Sequence, residues 1–147
     1  MAIVHLRLSA DHATAAAAIH RRAVATIPKY PVDLHSAAGF VAFYRKTVLA
    51  KGTVWGTFED GLLQGHIALR PGWIDHLYVD PDAHRRGIGT GLLGIAKAEQ
   101  FELRLRTFQA NAGARHFYER HGFEIESMTD GDANEERMPD MCYVWRR

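Results

Sequence analysis

The sequence predicts an α/β (α+β) fold in which seven strand-like runs are interleaved with four helices. Three observations carry that reading. Apolar residues recur with a period of two in short runs bounded by turn residues, and with a period near 3.6 in longer ones. The runs follow the order β-α-α-β-β-β-α-β-α-β-β, with no internal repeat and no linker-like stretch. One helix opens on a crowd of glycines (Gly87, Gly89, Gly91 and Gly94), although glycine costs about 1 kcal/mol relative to alanine inside a helix.

Residues 3–8 alternate as a first strand, with Ile3, His5 and Arg7 on one side and Val4, Leu6 and Leu8 on the other. Ser9 can cap a helix whose stripe, Ile19, Ala23 and Ile27, ends before Pro28. Pro28-Lys29-Tyr30-Pro31 reads as a loop, because both prolines resist helix continuation. A second helix is expected over residues 36–50, with Phe40, Tyr44 and Val48 on one face and Gly52 as its stop. Residues 53–59 and 62–70 flank Asp60-Gly61, a two-residue hairpin signal. Further strands are expected over residues 73–79, 102–108, 123–128 and 141–146. Ile88, Leu92 and Ile95 mark the third helix; Asn111 as N-cap and Gly122 as stop bound the fourth.

Composition bounds the function. The 147 residues suffice for one domain, residues 1–147, with a core that needs no covalent staples. A formal net charge of +1 argues against a dedicated nucleic-acid binder, which carries a basic excess. The single cysteine, Cys142, cannot form an internal disulfide and sits in an apolar stretch as a small core residue, which suits a reducing compartment. No apolar run approaches the roughly 18 residues that span a bilayer. The alanine-rich residues 13–18 lack the charged start and cleavage pattern of a signal peptide. The expectation is a cytoplasmic protein with neither a membrane nor a nucleic-acid partner.

The glycine-crowded helix start has a physical use. Free backbone N–H groups and the positive end of the helix dipole favour an anion, and residues without Cβ let a phosphate approach closely. Arg85 and Arg86 add fixed positive charge beside that cradle. Three phosphate loops compete for the segment. Gly89-Thr90-Gly91-Leu92-Leu93-Gly94 matches the G-x-G-x-x-G dinucleotide fingerprint, but the turn from the preceding strand (residues 80–86) is longer than that fingerprint wants. The P-loop pattern fails, since no Gly-Lys-Ser/Thr follows. The run from Leu77-Tyr78-Val79-Asp80-Pro81 through Leu93 resembles instead the [Q/R]-x-x-G-x-[G/A] loop of GNAT-type N-acetyltransferases, which holds the pyrophosphate of acetyl-CoA. His84 stands where that family usually has Gln or Arg, which weakens a side-chain contact more than the fold.

A second motif points the same way. Residues 111–123 resemble the family's N-x-x-A-x-x-x-Y-x-x-x-G-F element, with Asn111 and Tyr118 seven apart on one helical face. The resemblance implies the GNAT fold, a mixed and mostly antiparallel sheet of about seven strands with helices on both faces. It implies acetyl-CoA as acyl donor, held by Leu77, Tyr78, Val79, Arg85, Arg86, Gly87, Ile88, Gly89, Thr90 and Asn111. It also implies direct transfer to an amine on a small molecule or peptide.

An alkylamine has a pKa near 10.4, so only about one molecule in 2,500 is neutral at pH 7 and a proton must be removed. Tyr118 matches the position from which many family members protonate the departing sulfur. Asp75 matches by register a position from which a base often projects, acting through water; its other reading is an anchor for a neighbouring loop. His76 suits base chemistry better but is expected on the opposite side of the strand.

No metal is expected. His116 and His121 are five apart, off one helical face, and residues 130–141 begin like a calcium loop but put Glu135 at the glycine position and Met141 at the glutamate position. The acidic segment 130–140 reads either as a solvated connection or as an attractor for a cationic amine. Two rival functions stay open: an acyl-CoA-binding domain without catalysis, and a dinucleotide-binding oxidoreductase. The sequence leaves homodimer formation open.

Overall fold

The computed structural model describes residues 2–84 and 86–147. Seven strands form one sheet in the order β1-β2-β3-β4-β5-β7-β6. They are β1 (Ile3–Arg7), β2 (Thr53–Glu59), β3 (Leu62–Arg70), β4 (Trp73–Val79), β5 (Glu102–Phe108), β6 (Glu124–Met128) and β7 (Asp140–Arg146). Every neighbouring pair is antiparallel except β4 and β5, which run parallel. The helices are α1 (Ala13–Val24), α2 (Ala37–Phe43), α3 (Leu49–Lys51), α4 (Ile88–Glu99) and α5 (Ala112–Arg120). The sheet is thus mixed and mostly antiparallel, as the resemblance implies.

Helices cover both faces, because alternate side chains of each strand point to opposite sides. Ile67, Leu103, Leu105 and Tyr143 face one core with Ile88, Leu92 and Leu93 of α4 and Tyr118 of α5. Val54 and Ala68 face the other, with Ala16, Ala17 and Val24 of α1 and Phe40 of α2.

Local signals act where the sequence places them. Asp60 and Gly61 both take positive φ (50° and 84°), the backbone that a two-residue hairpin between β2 and β3 requires. The Ser36 side chain accepts a hydrogen bond from the Gly39 amide at 3.0 Å, and Asn111 Oδ1 accepts one from the Ala114 amide at 3.1 Å. Two elements differ in detail. The first helix is regular only to Val24 and closes as a turn in which the Ile27 amide donates to the Val24 carbonyl. The second contains a π turn, Tyr44–Val48, between α2 and α3.

A third difference bears on the site. Ala68 pairs with His76 and Leu69 with Ile74, so Asp75 is an extra, bulged residue of β4. The simple alternation expected for this strand is broken there. Ile74 packs on the α4 side together with Leu77 and Val79. The rings of His76 and Tyr78 lie against His20 of α1.

The α1 side of the sheet holds a buried polar cluster. The Tyr44 hydroxyl is hydrogen-bonded to both His20 Nδ1 and His66 Nε2, at 2.8 Å each. Burial, reinforced by the neighbouring imidazoles, pushes His20 down to about 2 and His66 down to about 3; burial also lowers His76, against the pull of Asp75. All three rings are therefore neutral when folded at pH 7.

Two stability predictions follow from these facts. A folded-state pKa below the unfolded value of 6.5 means that the unfolded chain binds protons first on acidification. Stability is then full above pH 6.5 and is lost as pH falls toward the folded values. Each histidine contributes a slope of at most about 1.4 kcal/mol per pH unit, so the three together approach about 4. Chemical denaturation between pH 7 and 5 should show this steep loss, and a flat profile would contradict the neutral cluster. The second prediction concerns glycine. A Cβ at Gly94 would meet nothing within 4 Å, whereas one at Gly89 would meet the Phe117 ring at 3.2 Å. Gly94→Ala should raise stability by about 0.5–1 kcal/mol in thermal melts, and Gly89→Ala should fail to do so.

Candidate active site

The site begins with a gap in the sheet. β4 and β5 share one register pair, Trp73 with Arg104, and then diverge. A cleft of about 920 Å³ opens between them. Its walls are β4 from Ile74 to Val79, β5 from Leu105 to Phe108, the start of α4, one face of α5 and the end of α1. Beyond Trp73 the β5-facing edge of β4 carries no ladder, so backbone groups there are left for a ligand that can pair as a strand does. Leu77, Tyr78 and Val79 occupy that stretch.

At one end of the cleft stands the start of α4. Gly87 is its N-cap, with φ +77° and no side-chain cap, a left-handed backbone that suits glycine. The Gly91 amide donates to the Gly87 carbonyl, so the amides of Ile88, Gly89 and Thr90 precede the first intrahelical bond. All four residues from Gly87 to Thr90 line the cleft. Gly89 also has a packing role. Its missing Cβ makes room for the Phe117 ring, so this glycine packs α4 against α5 rather than serving only the approach of a phosphate. The Thr90 hydroxyl is bonded to His121 Nε2 at 3.1 Å, while His121 Nδ1 donates to the Phe117 carbonyl at 2.8 Å.

The cations of the loop are placed unequally. Arg86 forms an ion pair with Glu59 of β2, which is almost wholly buried. Arg85 lies outside the described residues. His84 lines the cleft, with Nε2 3.3 Å from the Val79 carbonyl.

On the α5 wall, Asn111 caps its helix and lines the cleft. Tyr118 is 7% exposed and ringed by Phe117, Phe123 and Tyr143 at 5.3–6.0 Å. Its hydroxyl makes no hydrogen bond among the described residues. Burial pushes its phenol well above the usual range, so it is a neutral O–H donor at any working pH. Tyr78 is raised too, by burial first and then by the proximity of Tyr118, Tyr30 and Glu136.

Asp75 is bound by Arg70 through both oxygens, at 2.6 and 2.7 Å. The pair ties the two ends of the turn between β3 and β4, and Asp75 also lines the cleft. The cluster of His20, Tyr44 and His66 escaped sequence reasoning. Its only trace there is polar residues inside apolar runs on three distant segments, with no ligand spacing. The acidic segment folds back toward the α1–α2 connection: Glu135 pairs with His35 at 2.8 Å, and Tyr30 is pushed up to about 12 by burial, Glu136 and Glu135. Tyr30 in turn meets Phe108 of the cleft at 5.9 Å.

Among the described residues no group of three or more His, Cys, Asp or Glu side chains is arranged to hold a metal ion. No helix there is long and apolar enough to cross a membrane.

Known proteins share this architecture. Residues 36–125 match the family described as Acetyltransferase (GNAT) domain. The chain is 31% identical over 106 residues to the peptidyl-lysine N-acetyltransferase YiaC of Escherichia coli, covering 71% of each protein. Its fold superposes on apo YjaB from Escherichia coli with a TM-score of 0.77 at 22% identity, covering 99% of this chain and 98% of the other. It also superposes on the PaiA N-acetyltransferase from Thermoplasma acidophilum, solved in complex with coenzyme A, with a TM-score of 0.73 at 18% identity over the whole of both chains. With its splayed cleft, both of its motifs and these relatives, the chain belongs to the GNAT family and is an acetyltransferase.

Proposed function

We propose that this enzyme transfers an acetyl group from acetyl-CoA to a primary amine, with a lysine side chain of a peptide or protein as the acceptor class. The observation that carries the reading is the cleft itself. One opening has an uncapped helix start at one end and a buried phenol in its wall that has no hydrogen-bond partner among the described residues, joined by a stretch of unpaired strand edge.

The residues fit the donor. The amides of Ile88, Gly89 and Thr90, the dipole of α4 and the cation of Arg85 would hold the pyrophosphate. The Arg86 side chain acts indirectly, tying the loop to Glu59 of β2. The edge of β4 at Leu77, Tyr78 and Val79 would take the amide-bearing arm, and Asn111 its flank. The donor supplies a thioester; the chain supplies position and proton transfer. Tyr118 is the group that protonates the leaving sulfur. Its raised pKa keeps the proton in place until negative charge develops on sulfur, and a hydrogen bond to that sulfur lowers the barrier even before full transfer. Asp75, held by Arg70, shapes the turn beside the site.

Two features support a cationic acceptor. Glu135 and Glu136 sit near Tyr30, whose ring packs on Phe108 of the cleft lining, and provide negative potential on that side. The name of the Escherichia coli relative refers to peptidyl-lysine. A domain that merely bound acyl-CoA would have no use for a buried phenol at this point. The dinucleotide reading is disfavoured by the left-handed Gly87 cap at the end of a seven-residue turn.

Purified protein with acetyl-CoA should release free thiol in the presence of a lysine-containing peptide and less with a neutral aromatic amine. Binding of coenzyme A without turnover on any amine would favour the inactive binding domain. Tyr118→Phe keeps the ring and its packing. It should leave acetyl-CoA affinity within about twofold by calorimetry and lower kcat by roughly 10²–10⁴-fold, the range of general acid catalysis. Wild-type kcat in that variant, with chemistry rate-limiting, would remove the acid role.

A further inference from the structure

We propose that His76 takes the proton that the acceptor amine must lose, and that the buried His66–Tyr44–His20 chain packed behind it holds the ring in place. The inference rests on amine acetylation as proposed above.

The geometry assigns the role by position and by hydrogen-bond accounting. His76 lines the cleft one residue past the β4 bulge, on the side that faces α1. Bulges next to reaction sites re-aim side chains, and here the bulge turns Asp75 to Arg70 and His76 toward His20. The Asp75 carboxylate already accepts two short hydrogen bonds from a guanidinium, which makes it a poor proton acceptor. The His76 ring stands 5.4 Å from His20, 5.8 Å from Phe43 and 6.0 Å from Tyr78. Its Nδ1 is buried with no hydrogen-bond partner among the described residues, and so is Nδ1 of His66. An unmet buried polar atom costs about 1–3 kcal/mol, so two in one cluster ask for a reason beyond packing. The π turn is a second mark of the same place. It begins at Tyr44, whose hydroxyl joins His20 to His66, and such turns are frequent at functional sites.

The groups that face His76 decide its charge. Asp75 and Tyr78 lie on its own strand, His66 on β3, His20 on α1, Tyr44 in the π turn and Arg106 on the β5 side of the cleft. Only Asp75 favours an imidazolium, and burial outweighs it. The ring is neutral at pH 7, with a lone pair to offer.

The step balances. The ammonium nitrogen gives one proton to the imidazole, and its freed pair forms the C–N bond to the thioester carbonyl carbon as the C–S bond breaks. Sulfur leaves with the electron pair of the broken C–S bond and takes the Tyr118 proton. The second proton of the attacking nitrogen restores the phenol through solvent, and His76 releases its own to solvent. The products are an amide, a thiol and one proton.

The test uses the full chain with acetyl-CoA and a lysine-containing peptide. His76→Gln and His76→Ala should lower kcat/KM by about 10²-fold or more, with acetyl-CoA affinity by calorimetry within about twofold. Wild-type kcat/KM should show an acid limb below pH 6.5 that both variants lack, and added imidazole should restore the Ala variant several-fold. Tyr44→Phe, which opens the chain, should lower kcat several-fold with acetyl-CoA affinity unchanged and the acid limb in place, because burial and not the chain sets the charge of His76. Variants with wild-type rates and an unchanged limb would overturn the proposal. A loss of rate with no change in the pH profile and no rescue by imidazole would reduce His76 to a structural part. A wild-type kcat in folded Tyr44→Phe would remove the chain behind it. A wild type that binds acetyl-CoA yet acetylates no amine would sink the function reading and this inference with it; a wild type that turns over while both His76 variants do the same sinks this inference alone.

Discussion

The structure depends on one imperfect pairing, that of β4 with β5. On one side β4 is held by a long antiparallel ladder to β3, and on the other β5 is held by seven register pairs to β7. The two halves of the sheet meet at a single register pair. Because each half is stabilised by its own antiparallel partners, the parallel junction can stay open without loss of the fold. The opening has a particular chemistry. It leaves a strand edge without a ladder in the middle of a sheet, where such an edge is protected from edge-to-edge aggregation yet free for a ligand. The helix that crosses from β4 to β5 starts at the mouth of the same opening, so its unpaired amides fall beside the unpaired edge.

Electrostatics divide the cleft. The α4 end offers partial positive charge from backbone dipoles, suited to a phosphate. The middle is lined by groups kept neutral through burial: two phenols raised above their usual range and an imidazole held below its own. Neutral groups of this kind donate and accept protons, whereas a fixed charge there would bind the ground state of one reactant at the cost of the other. Glu135 and Glu136 add negative potential beside Tyr30, whose ring packs on Phe108 of the cleft. Ion pairs elsewhere serve geometry: Arg70 with Asp75 ties the β3–β4 turn, and Arg86 with Glu59 ties the loop before α4 to β2.

Several loop and helix termini bring these regions together. The loop after β4 is stapled by Asp80, which takes Arg22 of α1 and caps the short turn Pro81–Ala83. The segment before β7 is tied by Asn134, whose side chain bonds both the amide and the carbonyl of Met138.

The sequence by itself determined the features whose causes lie within a few residues. Strands β2, β3 and β4 have the expected limits, the Asp60-Gly61 hairpin and the caps at Ser9 and Asn111 form as read, and the two motifs come together in one cleft. Capping, turn geometry and hydrophobic period act over one or two turns of chain, so they can be read there. Tertiary structure decided what depends on register and on distant partners. The bulge at Asp75 moved Ile74 to the side of Leu77 and Val79, away from His76 and Tyr78, and it shows only in the register with β3. Glu59 claimed the side chain of Arg86 and Arg70 claimed Asp75. Phe117 filled the space above Gly89. His20, Tyr44 and His66 met from three segments, because the backbone crossing that joins them is set by the packing of α1 and α2 on the sheet, and side-chain chemistry follows where packing puts it.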